Sequence, residues 1–468
     1  MSDKDIKLAP GQTRVEWLVG RLIGAIEQGR YLPGSRVPSI RRTAADAGLS
    51  PFTVADAYDR LVTRGYLSAR RGAGYYVEAR QVTPPPRPAV LDELPIDDSW
   101  LLRSVYETRQ LGVRAGCGWL PAGWYDDEAQ QRALRALARG GIVGDHYGEP
   151  KGYGALRAEL ARQLAERGIP TGPEQLVLTQ GASKALDMVA CTLARPGDTL
   201  LVDDPGYCNL ISCLTFRGFK LVGVPWTAQG PDTAALEALL AEHRPRAYFT
   251  NPWLHNPTGA SYTLPVAHRV LKLAEQHNFW IVEDNVSADL CAERTPSLAA
   301  LDGLSRVLYI GSFSKTLSPG LRVGFIAAPT EPVERLVRYK MLSGLTTPEL
   351  NERLALALVS DGRYRRQVER LRQRLAGAQA RVGRRLQELG WTLFTQPTGG
   401  LFLLARPPRD VDPQALAESA QAEDILLAPG RLFRPHGAAS PWLRFNVAYS
   451  DDEKLWRFLA RSVEQTAD

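Results

Sequence analysis

No apolar run in this 468-residue chain approaches the ~20 residues needed to span a bilayer. The start, Met1-Ser-Asp-Lys-Asp, lacks the basic n-region and apolar h-region of a secretory signal. Neither a membrane protein nor an exported one is expected, and the cytoplasm is the expected compartment. Cysteine is sparse: Cys117, Cys191, Cys208, Cys213 and Cys291 are odd in number and widely spread, with no CxxC pair and no histidine at metal spacing. That pattern excludes a disulfide framework and a zinc site, so no metal is expected and the thiols should stay reduced and packed. Internal repeats are also missing. With 44% apolar and 23% charged residues, the composition is that of an ordinary globular chain rather than a disordered, collagen-like or coiled-coil one. Its length suits about two to four domains.

The net charge of +6 is modest but unevenly placed. Residues 1–80 hold 13 Lys and Arg against 8 Asp and Glu, which leaves about +1 for everything that follows. A compact basic segment on a near-neutral body points to a polyanion as that segment's partner. Between Glu78 and Asp98 the pattern breaks into Thr83-Pro-Pro-Pro-Arg-Pro and an acidic stretch, the composition of a stiff, extended linker. The chain therefore divides into a module over 1–80, a linker over 81–115 and a body over 116–468.

Within the module, apolar residues at 15, 18, 19, 22, 23 and 26 predict a helix from Thr13 to Gln28. A second helix fits Ser39 to Ala47, and a third runs from Pro51 to Arg64 with Ser50 as its cap. Tyr66 to Val77 then predicts two short strands around a basic, glycine-containing turn, which completes the outline of a winged helix-turn-helix. The third helix should turn Val54, Tyr58 and Leu61 inward and Thr53, Asp56 and Arg60 outward, with its first turn entering the major groove of double-stranded DNA. Arg36, Ser39 and Arg41, with Arg70 and Arg71 in the wing, are the candidate phosphate contacts that would set register.

In the body, strands predicted at 176–179, 200–203, 220–224, 247–250, 280–284, 307–310 and 323–327 alternate with helical segments. This indicates an α/β domain with a mainly parallel sheet covered by helices. After Glu349, a long helical stretch to Gly390 and strands near 392–394, 401–404 and 443–447 suggest a smaller α+β lobe. Gly311-Ser-Phe-Ser-Lys-Thr-Leu-Ser-Pro-Gly-Leu-Arg-Val-Gly follows an apolar strand. It offers a lysine amine, flanking hydroxyls and an arginine seven residues on, able to hold an aldehyde and a phosphate together. Thr179-Gln-Gly-Ala-Ser-Lys opens a helix after a strand, so free N–H groups make Ala182 and Ser183 anion-binding candidates. Pro441-Trp-Leu-Arg-Phe-Asn-Val presents Arg444 from a strand, where a guanidinium could grip a carboxylate with two prongs.

Two resemblances rest on these residues. Leu32-Pro-Gly-Ser-Arg-Val-Pro-Ser-Ile-Arg-Arg-Thr-Ala, Leu49-Ser-Pro-Phe-Thr-Val, Tyr58-Asp-Arg-Leu, Gly65-Tyr-Leu and Gly72-Ala-Gly-Tyr-Tyr-Val resemble the GntR-type winged helix. The departure is Pro51, which stands where that family usually has an arginine. The lysine motif resembles the Schiff-base lysine of fold type I pyridoxal-phosphate enzymes of the aminotransferase class I/II family. The resemblance implies pyridoxal 5'-phosphate as cofactor and Lys315 as its anchor. It implies Asp284, ending Ile281-Val-Glu-Asp, as partner of the pyridine nitrogen, and Asn256, in Asn-Pro-Thr-Gly, as donor to the phenolic oxygen. Tyr207 would stack on the ring, Ala182, Ser183, Ser312 and Arg322 would cup the phosphate, and Arg444 would take a substrate carboxylate. Tyr147 would reach a second subunit's phosphate, which implies a homodimer. A tyrosine usual shortly after the aspartate is absent, with Val286 and Ser287 in its place.

The module order resembles the MocR subfamily of transcription regulators. That implies a pyridoxal-phosphate-dependent DNA-binding regulator whose aminotransferase-like domain responds to a small amino compound, with little or no turnover. An active aminotransferase carrying a DNA-binding module is the alternative.

Overall fold

The computed structural model describes residues 12–27, 30–70, 73–78, 101, 112–140, 147–291, 296–397, 399–408 and 411–464. Arg71, and the expected linker apart from Leu101 and residues 112–115, lie outside the described residues. The chain divides into two compact units between Leu94 and Pro95.

The first unit is built of α1 (Arg14–Glu27), α2 (Ile40–Ala47) and α3 (Pro51–Thr63), followed by an antiparallel hairpin of β1 (Leu67–Arg70) and β2 (Gly74–Val77). Local chemistry sets the boundaries. Ser39 caps α2 by accepting from the Arg42 N–H at 3.3 Å, and Gly48 ends it in the left-handed region at φ 63°. Ser50 caps α3 by accepting from the Thr53 N–H at 3.0 Å, and Pro51 takes the first helical position, where its missing N–H costs nothing. Leu18, Val19 and Leu22 of α1 pack on Val54, Tyr58 and Leu61 of α3 and on Leu67 and Val77 of the hairpin. The Tyr58 hydroxyl lies 2.7 Å from the Thr43 hydroxyl and donates to the Pro38 carbonyl at 2.8 Å, tying α3 to α2.

The second unit centres on an eight-stranded sheet of β3 (Leu176–Thr179), β4 (Thr199–Asp204), β5 (Lys220–Thr227), β6 (Gly230–Pro231), β7 (Ala247–Thr250), β8 (Trp280–Asp284), β9 (Val307–Ser312) and β10 (Gly324–Ala327). The order is β3-β10-β9-β8-β7-β4-β5-β6. From β9 to β5 neighbouring strands are parallel, whereas β10 is antiparallel to both β9 and β3, and β6 is antiparallel to β5. The sheet is thus mixed where a mainly parallel one was expected. The reason is chain length: the short β9–β10 connection carries no crossover α-helix, so the chain can only fold back. Alternate residues feed two cores. Leu201, Tyr248, Ile281 and Tyr309 face one, and Leu200, Val202, Phe249, Val282 and Ile310 the other.

The smaller lobe holds β11 (Thr392–Leu393), β12 (Phe402–Arg406), β13 (Ala428–Pro429) and β14 (Leu443–Asn446) in the order β11-β12-β14-β13, all antiparallel. The helical stretch expected from Glu349 to Gly390 is two helices, Glu349–Val359 and Arg363–Glu388. The break is at Asp361-Gly362, where the Asp361 carboxylate accepts from the Arg363 N–H at 3.1 Å. Residues 112–117 belong to this lobe: Val113 bridges Ile425, the Gly116 N–H donates to Leu426 at 2.6 Å, and Asn446 donates to the Ala115 carbonyl at 2.6 Å.

Candidate functional site

Parallel strands gather their C-terminal ends on one edge, and there the second unit concentrates its chemistry. Asp284 ends β8, Ser312 ends β9, and Lys315 follows in the turn after β9. The Lys315 ammonium donates to the Gly118 carbonyl. Arg444, presented by β14, is buried with its guanidinium between the rings of Phe402 and Phe433, 4.5 and 4.6 Å from their centroids. It donates to Asn256 Oδ1 at 2.7 Å and to the Gly116 carbonyl at 2.6 Å, while its Nε finds no partner in the protein. A fully buried guanidinium with an unused N–H is costly by itself and suits an anion that completes its set.

The anion-facing corner is equally legible. The helix Ala182–Leu193 starts behind Gly181, at φ 81°, with no side-chain cap, so its first N–H groups face outward. Arg322, in the left-handed region at φ 52°, lies against that glycine: a Cβ on Gly181 would stand 2.9 Å from Arg322 Nη2. Its guanidinium donates to the Gln180 carbonyl at 3.0 Å. Ser312 adds a hydroxyl, 3.0 Å from Ser314 Oγ. Tyr207 accepts from Asn209 at 3.1 Å and borders Ser183 and Asp284.

Burial sets the protonation states. It pulls the Lys315 amine down to about 8, with the nearby Arg444 charge pushing the same way and Cys117 and Asp284 opposing. It lifts the Asp284 carboxyl to about 6, against the Val286 N–H and the Lys315 charge. Tyr207 is pushed up to about 12, mainly by burial. An amine that gives up its proton more readily than an ordinary lysine, near a carboxylate, is suited to capture a carbonyl compound.

Lys315, Asp284, Asn256, Tyr207, Ala182, Ser183, Ser312, Arg322 and Arg444 thus stand on elements that converge on this edge. Tyr147 does not share it. It is 79% exposed, and its carbonyl accepts from the Thr346 hydroxyl. Ser287 is buried at the start of a 3-10 turn, with its carbonyl accepting from Leu290 at 2.8 Å.

Two features went unread in the sequence. Asn251 is buried and ties the site's two arms together: its amide donates to the Asp284 carbonyl at 2.7 Å and accepts from the Asn256 N–H at 2.8 Å. Its own N–H donates to the buried Asp203 at 2.9 Å. The second is the pair of carbonyls at Gly116 and Gly118, which engage Arg444 and Lys315. The Asn251-Pro run was the only signal for the first; backbone acceptors leave no trace in residue types. A wide cavity of about 1500 Å³ lies elsewhere in this unit, lined by Arg167, Asp289, Tyr364 and Arg372 among others. Its Arg167 and Asp289 pair with one another. Among the described residues no group of three His, Cys, Asp or Glu could hold a metal, and no helix is long and apolar enough to cross a membrane.

In the first unit, Arg36, Ser39, Arg41 and Arg70 are all exposed, and Arg70 stacks over Tyr76 at 4.4 Å. Arg36 lies against the wing, where a Cβ on Gly74 would meet its Nε at 3.1 Å. Thr53 is held by the cap, its hydroxyl 2.7 Å from that of Ser50. Arg60 donates twice to Asp56, each at 3.1 Å.

Residues 119–461 match the family model for aminotransferase class I and II, and residues 15–77 match that for bacterial regulatory proteins of the gntR family. The 2-aminoadipate transaminase of Thermus thermophilus is 34% identical over 357 residues, which cover 74% of this chain and 88% of that protein. The HTH-type transcriptional regulator TauR of Rhodobacter capsulatus is 32% identical over 457 residues, covering 91% of both. Among solved structures, the α-aminoadipate aminotransferase LysN of Thermus thermophilus, complexed with N-(5'-phosphopyridoxyl)-L-leucine, superposes with a TM-score of 0.72 at 30% identity, covering 78% of this chain and 95% of that one.

Proposed function

The chain belongs to the aminotransferase class I and II family and, with its gntR-family module, to the MocR subfamily of regulators; from that premise we propose that it controls transcription by sensing an amino compound through bound pyridoxal phosphate. One observation carries the reading. Side chains suited to the cofactor's aldehyde, ring nitrogen and phosphate stand in the same chain as a gntR-family module.

The residues present fit that cofactor by their chemistry. An amine of lowered basicity, a buried carboxylate, and an uncapped helix start beside a guanidinium are what its aldehyde, ring nitrogen and phosphate require. When bound, pyridoxal phosphate supplies an aldehyde that amines capture and a ring that withdraws electrons. Lys315 would be the amine that anchors it, Asp284 would pair with the ring nitrogen, Asn256 would donate to the phenolic oxygen and Tyr207 would pack on the ring. Ala182, Ser183, Ser312 and Arg322 would hold the phosphate. Arg444 holds the effector's carboxylate, which must compete with the Gly116 carbonyl for the same guanidinium. Because the effector can shift the regulator only by binding its two conformations unequally, this exchange of partners is where we place the switch.

Arg36, Ser39, Arg41, Arg70 and Arg71 take phosphates of duplex DNA, with Thr53 and Arg60 on the groove-facing helix. The working unit is a homodimer in the cytoplasm. Tyr147 and Leu342, each about four-fifths exposed, are large apolar side chains whose exposure supports pairing with a second copy. The domains are read as 1–80, 81–115 and 116–468, with the end of the linker at residues 113–115 bound to the smaller lobe.

A second reading has one observation in its favour: a 34%-identical relative is named a transaminase. The test is to saturate the purified protein with pyridoxal phosphate and offer it amino acids. Release or tightening of operator DNA with at most a few turnovers supports the regulator. Sustained conversion to keto acids at about 1 per second or faster reverses the ranking.

A further inference from the structure

We propose that Phe52 reads thymine: its ring packs on the C5-methyl group of a thymine in the major groove, so that the third helix of the first unit selects DNA by apolar contact rather than by pairing a guanidinium with guanine. The inference rests on the reading of residues 15–77 as a DNA-binding module. It adds to it the chemistry by which a sequence is chosen.

Phe52 is 83% exposed, whereas Val54, Ala57, Tyr58 and Leu61 of the same helix are fully buried. Nothing within its own unit requires an aromatic ring at that position. The polar groups around it are already engaged inside the protein. Ser50 and Thr53 satisfy one another through the cap, with the Thr53 N–H donating at 3.0 Å and the two hydroxyls 2.7 Å apart. Arg60 is forked onto Asp56. The Tyr75 hydroxyl donates to Asp59 at 3.4 Å. Pro51, in the preceding position, has no N–H and no charge. The uncommitted surface at the start of this helix is therefore Pro51 and Phe52, both apolar.

Among the four bases, only thymine presents an apolar projection in the major groove, its C5-methyl group, and an aromatic side chain is one of its recognised partners. Guanine and adenine are read by forked polar side chains, and here the candidate arginine, Arg60, lies about two turns beyond Phe52 and forks onto Asp56. The arginines assigned to phosphates stand elsewhere, at Arg36 before α2, Arg41 on α2 and Arg70 on the wing. Those side chains serve phosphates and leave base choice to the apolar turn.

The experiment starts from sites selected by the full-length protein from random duplex DNA. Each thymine in a selected site is then replaced by deoxyuridine, which removes the methyl group and keeps the base pair. At one position per half-site, binding by the wild type should weaken about fourfold, the worth of one buried methyl group. Phe52→Ala should bind the unmodified site about as weakly as the wild type binds the substituted one, and should be indifferent to the substitution. Its salt dependence should stay unchanged, because no phosphate contact is lost. If no thymine shows methyl sensitivity, or if Phe52→Ala keeps that sensitivity, the proposal fails while DNA binding stands. Failure to select any DNA overturns the underlying reading together with it.

Discussion

Lys315 meets an aldehyde as a free amine only to the extent that its surroundings strip its proton. Burial and the Arg444 charge bring that amine to about 8, so the reactive fraction falls about tenfold for each pH unit below that point. Capture of added pyridoxal phosphate, followed by its visible absorbance, should therefore accelerate with pH and level off near 8. A rise that continues to pH 10 would show an ordinary lysine. Lys315→Ala should abolish the band while leaving the fold intact. Burial lifts the Asp284 carboxyl to about 6; a protonated ring nitrogen beside it would pull that value down, so the bound cofactor should keep this carboxylate charged to lower pH. Asn251 is uncharged, yet its side-chain amide holds the main chains of Asp284 and Asn256. Asn251→Ala leaves the buried Asp284 carbonyl without its partner, at a cost of about 1–3 kcal/mol, and frees the half-buried Asn256 N–H. Denaturant midpoints should drop accordingly, and cofactor affinity should fall by more than tenfold. Unaltered affinity would show that Asp284 and Asn256 keep their places without it.

At the scale of elements, the site depends on how closely a helix start approaches a strand. Gly324 of β10 lies so near Gly181 that an added Cβ would stand 2.8 Å from the Gly181 carbonyl carbon and 3.0 Å from the Ala182 nitrogen. Gly324→Ala should push the helix Ala182–Leu193 away from Arg322, an overpacking change of about 1–3 kcal/mol. The expected result is about tenfold weaker retention of pyridoxal phosphate on gel filtration, with Lys315 still able to form its band at high cofactor concentration. Equal retention in the variant would show that the helix start does not carry the phosphate. The strands that place Asp284 and Ser312 were legible, because short continuous apolar runs such as Trp280-Ile-Val and Val307-Leu-Tyr-Ile belong to a sheet buried on both faces. The reversal of β10 was not legible. Apolar runs carry no direction; the shortness of the connection before Gly324 does.

For the whole molecule, charge distribution gives the most direct prediction. If four arginines of each module neutralise phosphates, operator affinity should fall with salt at a log–log slope of about 3 to 4 per module. A flat response would remove the DNA role. What the sequence alone determined is the inventory: a basic winged helix, a lysine after an apolar strand, an acid at a strand end, and an arginine within the strand that follows Pro441. These follow from residue type and spacing, because caps, turns and periodicity act over a few neighbours. Only the tertiary structure decided which of them meet. It brought Asn256 onto Arg444 across 188 positions, placed the Gly116 carbonyl on the same guanidinium across 328, and left Phe52 bare beside polar groups already engaged. Such pairings depend on backbone acceptors, burial and desolvation, which are properties of packed surfaces and are not written in any local run of residues.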